Sequence, residues 1–165
     1  MEISYPQTLI PSLKNKHLLL DTNIIRDATN NPNDFNKFFN ELKNSNITLT
    51  TIDFVRYEIL KGSLNDAKYE LREKLLHEIL DTNIPVVPET YKLAYELIKM
   101  YRIHGSALHI TDLLLGALLM QYKKNIYLIS RDTTDFLQSV FNLSFIVNAS
   151  FNKGIFTYGI YQYVK

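Results

Sequence analysis

Apolar and polar positions along the chain fall into short blocks whose period switches repeatedly. His17-Leu18-Leu19-Leu20 is an apolar run cut off by Asp21-Thr22-Asn23. It reads as a buried strand over 17–21 that delivers a carboxylate to its C-terminal tip. Ile24 and Ile25 follow at once, so a helix is predicted there with Thr22 or Asn23 as its cap. Asp21 has two readings, helix cap or catalyst, and its own context leaves both open.

The same switching continues. Residues 1–16 carry Pro6 and Pro11 without a clear period and read as an arm or a short edge element. After the breaker cluster 30–34, in which Pro32 suits a first helical turn, apolar residues at 35, 38, 39 and 42 trace one helical face. β-branched residues over 47–51 predict a strand, and 52–60 a helix carrying Glu58 and closed by Gly62. A helix over 64–80, with Glu70 and Lys74 paired across one turn, leads to a short strand at 84–88 made irregular by two prolines. Helices over 89–102 and 107–122 flank a loop at 104–106. A strand at 126–130, a short helix at 132–141, a strand at 144–147 and an aromatic, alternating tail at 155–164 complete the chain. Strands and helices alternate throughout, which predicts a parallel sheet with helices on both faces. With no linker or repeat, 1–165 reads as one domain, with 1–16 an N-terminal arm and 148–165 a C-terminal extension.

Composition narrows the chemistry. At 46% hydrophobic and 21% charged residues the chain is an ordinary globular one. No apolar run nears the roughly 20 residues of a membrane helix. The start Met1-Glu2-Ile3-Ser4-Tyr5-Pro6 lacks the basic and apolar regions of a signal peptide, so no membrane and a cytoplasmic location are expected. Cysteine is absent, which removes disulfides, thiol catalysis and thiolate metal sites. With 18 Lys+Arg against 17 Asp+Glu, global charge does not call for a nucleic-acid partner. Local basic residues would have to supply that.

Four acids stand out by position: Asp21 ends the first buried strand, Glu58 lies in the helix after the second, Asp112 sits inside Thr111-Asp112-Leu113-Leu114-Leu115-Gly116-Ala117, and Asp132 follows Ser130-Arg131. Asp112 is the most informative. A carboxylate in a helix that is apolar nearly all round is costly unless paired, hydrogen-bonded or metal-bound. A first-turn acid near Thr111 or Ser106 is the simpler alternative; function is preferred, because carboxylates converging on one edge repel and need a cation. Hard oxygen ligands without cysteine select Mg²⁺ or Mn²⁺ over zinc.

Taken in order, Leu-Leu-Asp-Thr-Asn, Tyr-Glu-Ile-Leu-Lys-Gly, Thr-Asp-Leu-Leu-Leu-Gly-Ala and Ser-Arg-Asp-Thr-Thr-Asp-Phe resemble PIN-domain proteins, especially VapC-like ribonuclease toxins of toxin–antitoxin pairs. The likeness runs over 18–147. It implies a three-layer α/β/α fold with a mostly parallel central sheet, and metal-dependent cleavage of single-stranded or loop RNA. Asp21, Glu58 and Asp112 match the family's first three acids and Asp132 its fourth; together these are the implied catalytic residues and Mg²⁺ or Mn²⁺ ligands. Asn23 matches the polar residue after the first acid, Ser130 a hydroxyl lining the pocket, and Asp135 a supporting or alternative ligand. Arg56, Lys61 and Arg131 neighbour motif acids and are candidate phosphate contacts. A cognate antitoxin is the implied partner, and a homodimer is expected. Two features depart from most such chains: residues 1–16 delay the first motif, and 148–165 continue past the last strand.

Competing readings fail on particular residues. A dehalogenase-type phosphatase needs a second Asp where this chain has Asn23. A phospho-receiver needs an acceptor Asp where it has Val86-Val87-Pro88-Glu89. Its five glycines form no dinucleotide-binding array. Stand-alone RNA processing, or a non-cleaving RNA-binding or scaffold role, remains the alternative within the same fold; retention of the first three acids speaks against the second. His109, one turn before Asp112, is able to approach the site, while His17, His77 and His104 read as structural. Tyr158, Tyr161 and Tyr163 read as core or cover rather than as base-stacking groups.

Overall fold

The computed structural model describes residues 2–101, 109–151 and 154–164. In chain order the elements are β1 (Glu2–Ser4), α1 (Leu9–Leu13), β2 (His17–Leu20), α2 (Thr22–Asn30), α3 (Pro32–Asn44), β3 (Thr48–Thr51), α4 (Asp53–Leu60), α5 (Asp66–Ile79), β4 (Thr82–Asn83), α6 (Pro88–Tyr101), α7 (Ile110–Tyr122), β5 (Ile126–Ser130), β6 (Asn142–Phe151) and β7 (Gly154–Gln162). The strands form one sheet in the order β1-β6-β7-β5-β2-β3-β4. β5, β2, β3 and β4 run parallel. β7 joins β5 antiparallel, β6 joins β7 antiparallel and β1 joins β6 antiparallel, so β6 again points the way of β5.

Hydrophobic runs place the central strands. Every residue of β5 is buried, as are Leu18, Leu19 and Leu20, the signature of parallel strands covered on both faces. α2 packs against α3, α4 and α5, as expected when the β2-to-β3 and β3-to-β4 crossovers share the usual right-handed sense and so one face. The return to β5 carries α6 and α7 to the other, and the packing of α2 on α4 and of α6 on α7 follows that division. Phe35, Phe38, Phe39 and Leu42 are the buried stripe of α3, which starts on Pro32 as expected. α7 is buried nearly all round, and Gly116 allows the close approach: a Cβ there would lie 2.7 Å from Leu97 Cδ2 and 3.1 Å from Phe141 Cζ. No helix among the described residues is long and apolar enough to cross a membrane.

Several expectations need correction. Residues 132–141 are not helical, because Asp132 Oδ1 accepts the Thr134 and Asp135 N–H groups and turns the backbone instead. The strand expected at 84–88 is only Thr82–Asn83; Pro85 has no N–H to give a ladder, and Pro88 opens α6. Asp21, rather than Thr22 or Asn23, caps α2, accepting the Thr22 N–H. Gly62 follows α4 without a left-handed φ; Gly154 is the one described glycine that has a positive value. Lys74 reaches Glu78, not Glu70, at 3.9 Å. The loop expected at 104–106, with His104 and the first turn expected of the helix at 107–122, lies outside the described residues.

Both chain ends belong to the sheet. β1 covers β6, and Leu9 and Leu13 of α1 are fully buried. The tail of alternating aromatics is β7, inserted between β5 and β6, with Tyr158 and Tyr161 in the core and Tyr163 buried beside Phe141. These rings are core, not stacking platforms.

Candidate active site

The parallel strand order reverses at β2: the chain moves to β3 and β4 on one side, then returns to β5 on the other. Open α/β sheets bind ligands in the crevice outside the strand C-termini at such a switch point. β2 and β5 end there in Asp21 and in Ser130-Arg131-Asp132. α7 precedes β5 and runs back along it, so its first turn, which holds Asp112, reaches the same edge. α4 leaves the end of β3 and brings Glu58 alongside.

Asp21 sits at the centre, 4% exposed. Its Oδ1 accepts the Thr22 N–H, and its Oδ2 accepts Asn23 Nδ2 at 2.6 Å and the Ser130 hydroxyl at 2.6 Å. Asn23 also donates to Ser130 Oγ at 3.0 Å and accepts the Arg131 N–H at 2.9 Å. Asn23 and Ser130 thus tie the ends of β2 and β5 around one carboxylate. Glu58 is gripped on both oxygens, by the Thr22 hydroxyl at 2.5 Å and the Thr111 hydroxyl at 2.6 Å. Asp132 Oδ1 faces its own loop, taking the Thr134 N–H at 2.9 Å and the Thr134 hydroxyl at 2.8 Å.

Electrostatics show how strained this grouping is. Burial pushes the Asp21 carboxyl up to about 6; the Ser130 and Thr22 bonds oppose that, and the charges of Glu58 and Asp132 add to it. Asp112 stands higher, at about 7, first through burial and then through Asp21, Asp135, Asp132 and Glu58. Asp135 is raised by burial and by Asp132, with His109 pulling the other way. Asp132 is desolvated too, yet the Thr134 and Asp135 bonds outweigh burial and hold it below the usual carboxylate range. Asp112 is a first-turn acid, as the simpler reading had it, but four other acids act on it as well.

The donor set is all oxygen and all anionic, which fits a hard divalent cation. Among the described residues no three of these acids stand ready to enclose an ion directly.

The basic candidates fare less evenly. Lys61 Nζ lies 5.2 Å from the Tyr57 ring centroid, beside Glu58. Arg131 is committed elsewhere: its guanidinium pairs with Asp27 Oδ2 at 3.1 Å and lies over the Phe156 ring, and Tyr158 donates to the same Asp27 oxygen at 2.7 Å. Arg56, half-buried, has no bond to any of the acids among the described residues. Sequence reasoning missed Arg26 and Arg72, which line a cleft on the far flank of Glu58. It also missed the threonine clamp on Glu58; Thr22 and Thr111 each adjoin a motif acid, which was the available signal.

Comparison with known proteins agrees with this picture. The PIN domain family model matches residues 18–138, a span that holds all five acids and ends before β6 and β7. Among solved structures the chain is similar to VapBC2 from Rickettsia felis bound to a DNA fragment from their promoter. Identity there is 22% and the TM-score 0.50, over 61% of this chain and 78% of that one, a likeness of fold. No curated protein matches. The resemblance carried by the four motifs is therefore borne out over most of the chain's length, and the chain belongs to the PIN-domain family.

Proposed function

We propose that this chain is a Mg²⁺- or Mn²⁺-dependent endoribonuclease that hydrolyses single-stranded or loop RNA, as the toxin of a toxin–antitoxin pair. The observation that carries the reading is the joint elevation of Asp21 and Asp112, at about 6 and about 7, by burial and by charges sharing one sheet edge. Carboxyls raised by burial and by one another at a single sheet edge are the pattern of a candidate functional site. PIN domains are generally nucleases and typically use divalent ions, so family and site chemistry point the same way.

Asp21 and Asp112 would hold a divalent ion here, and such an ion would supply a water of lowered pKa and charge neutralisation at the leaving oxygen. The chain's own residues do the rest. Asp21, fixed by Asn23 and Ser130, and Asp112 are the principal ligands; Asp132 and Asp135 complete the set directly or through water. Glu58, locked by Thr22 and Thr111, orients the attacking water. Lys61 offers a phosphate contact at the groove beside it. Among the described residues no element suited to reading a duplex groove stands at this edge, and an unpaired strand is the substrate proposed.

The toxin role draws support from the VapBC2 likeness, and it makes the expected partner a small antitoxin that silences cleavage. The test sets single-stranded RNA, hairpin RNA and duplex DNA against each other with Mg²⁺ or Mn²⁺. Cleavage of unpaired RNA is expected. Equal or faster cutting of duplex DNA overturns the substrate assignment.

A further inference from the structure

We propose that the groove beside Glu58 is a nucleobase subsite, in which Tyr57 stacks on the base of a nucleotide flanking the scissile phosphate and Lys61 meets that nucleotide's phosphate. This rests on the single-strand RNA reading above and names how the strand is held.

The groove, about 410 Å³, opens between α4 and the first turn of α7 and is lined by Phe54, Tyr57, Glu58, Lys61, Ile110 and Thr111, with Asp53 at one end. Val55 and Ile59 face the core from α4, which turns Tyr57 outward. Tyr57 is 65% exposed, and Ile110 across the groove is 51% exposed. Nothing in the fold requires an aromatic at that position, since a polar residue would serve an outward face equally well. Lys61, one turn along the helix, holds its ammonium 5.2 Å from the ring centroid. One exposed ring with one cation over a face matches one base stacked on the open face with one phosphate beside it. Among the described residues the exposed apolar side chains of the groove are Tyr57 and Ile110, beside a partly buried Phe54, short of the row of anchors a partner helix would need.

Continuity with the acidic edge fixes where that nucleotide sits. Glu58 and Thr111 line the groove and are bonded to each other at 2.6 Å, while Glu58 also holds Thr22, the neighbour of Asp21. A strand whose scissile phosphate lies at Asp21 and Asp112 therefore passes its adjoining nucleotide over Tyr57. Every base has a π-face, so the subsite is tolerant of sequence and selects against paired strands, whose bases are not free to stack.

The experiment measures binding of a labelled single-stranded oligoribonucleotide in EDTA, and cleavage of the same strand with Mg²⁺ or Mn²⁺, for the full chain and for Tyr57→Ala, Tyr57→Phe and Lys61→Ala. Tyr57→Ala is expected to weaken binding about tenfold and Tyr57→Phe to stay within about twofold, because stacking uses the ring and not the hydroxyl. An abasic nucleotide scanned along the strand is expected, at one position, to weaken the parent about tenfold and Tyr57→Ala hardly at all. That coupling is a readout that altered folding does not produce. Equal binding by Tyr57→Ala and parent, additive losses at every position, or no binding of single strands overturns the subsite. So does a Tyr57→Ala protein that binds RNA normally but no longer retains a protein partner. Tyr57-dependent binding with no cleavage in either metal keeps the subsite and overturns the nuclease reading; cleavage indifferent to Tyr57 does the reverse.

Discussion

Replacing Asp112 with asparagine removes one charge from the acidic edge while keeping the side chain's size. In the parent its carboxyl stands at about 7 against an ordinary 3.8. At about 1.4 kcal/mol per pH unit that elevation corresponds to about 4 kcal/mol. The side chain is only half-buried, so solvent screening reduces the usable figure to about 1–2 kcal/mol. A folded-state value raised above the unfolded one means that the folded protein favours the protonated acid. Stability is therefore full below about pH 4, falls as pH climbs towards about 7, and is flat beyond. Against this, a first-turn acid gives back about 0.3–1 kcal/mol through the helix dipole, less than the repulsion it causes. Without metal, Asp112→Asn is thus expected to melt up to about 6 °C above the parent near pH 8 and to converge with it near pH 4. With Mg²⁺ or Mn²⁺ the order reverses, because the parent gains binding energy that the variant mostly lacks; a site at about 100 times its Kd would gain about 2.7 kcal/mol. Melting curves at both pH values, with and without metal, alongside RNA cleavage, test this. A variant that melts lower near pH 8 without metal, keeps the metal-induced rise and still cleaves makes Asp112 a cap and refutes the reasoning.

Three further outcomes follow from particular contacts. Thr22→Val with Thr111→Val frees both oxygens of Glu58; cleavage is expected to fall about 10–100-fold, as when groups orienting metal-site side chains are lost, and unchanged rates would deny Glu58 its role. Tyr158→Phe leaves the buried Asp27 carboxylate with Arg131 as its partner and is expected to lower stability by about 1–3 kcal/mol in a denaturant titration, with cleavage intact. Gly116→Ala drives a methyl against Leu97 and Phe141 and is expected to cost about 1–3 kcal/mol by overpacking; a neutral melting temperature would show that α6 and α7 can separate.

What could be read from the sequence was whatever is encoded locally. β2 and β5 are apolar runs because both faces of a central parallel strand are covered, and such runs look alike wherever they occur. α3 announced itself through Phe35, Phe38, Phe39 and Leu42, and the acids through their places just past strand ends or in helices beside them. The antiparallel wing did not, because pairing of β7 between β5 and β6 is a long-range choice that alternation at 155–164 leaves unspecified. The loop after β5 looked helical by composition; the Asp132 side chain, bonding the backbone two and three residues on, decides otherwise. Arg131 read as a free phosphate contact because its partners Asp27 and Phe156 lie on distant parts of the chain. The grip on Glu58 joins α2, α4 and α7, and no local pattern records it.

On the proposed reading, the carboxylates at the ends of β2 and β5 form a hard-cation centre for cutting RNA. The most direct test follows cleavage of one unpaired RNA by the chain in excess EDTA, then after adding back Mg²⁺ or Mn²⁺. No cleavage is expected in EDTA, with recovery on adding either ion and no recovery for Asp21→Asn. Cleavage that persists in EDTA, or that Asp21→Asn retains, would contradict it.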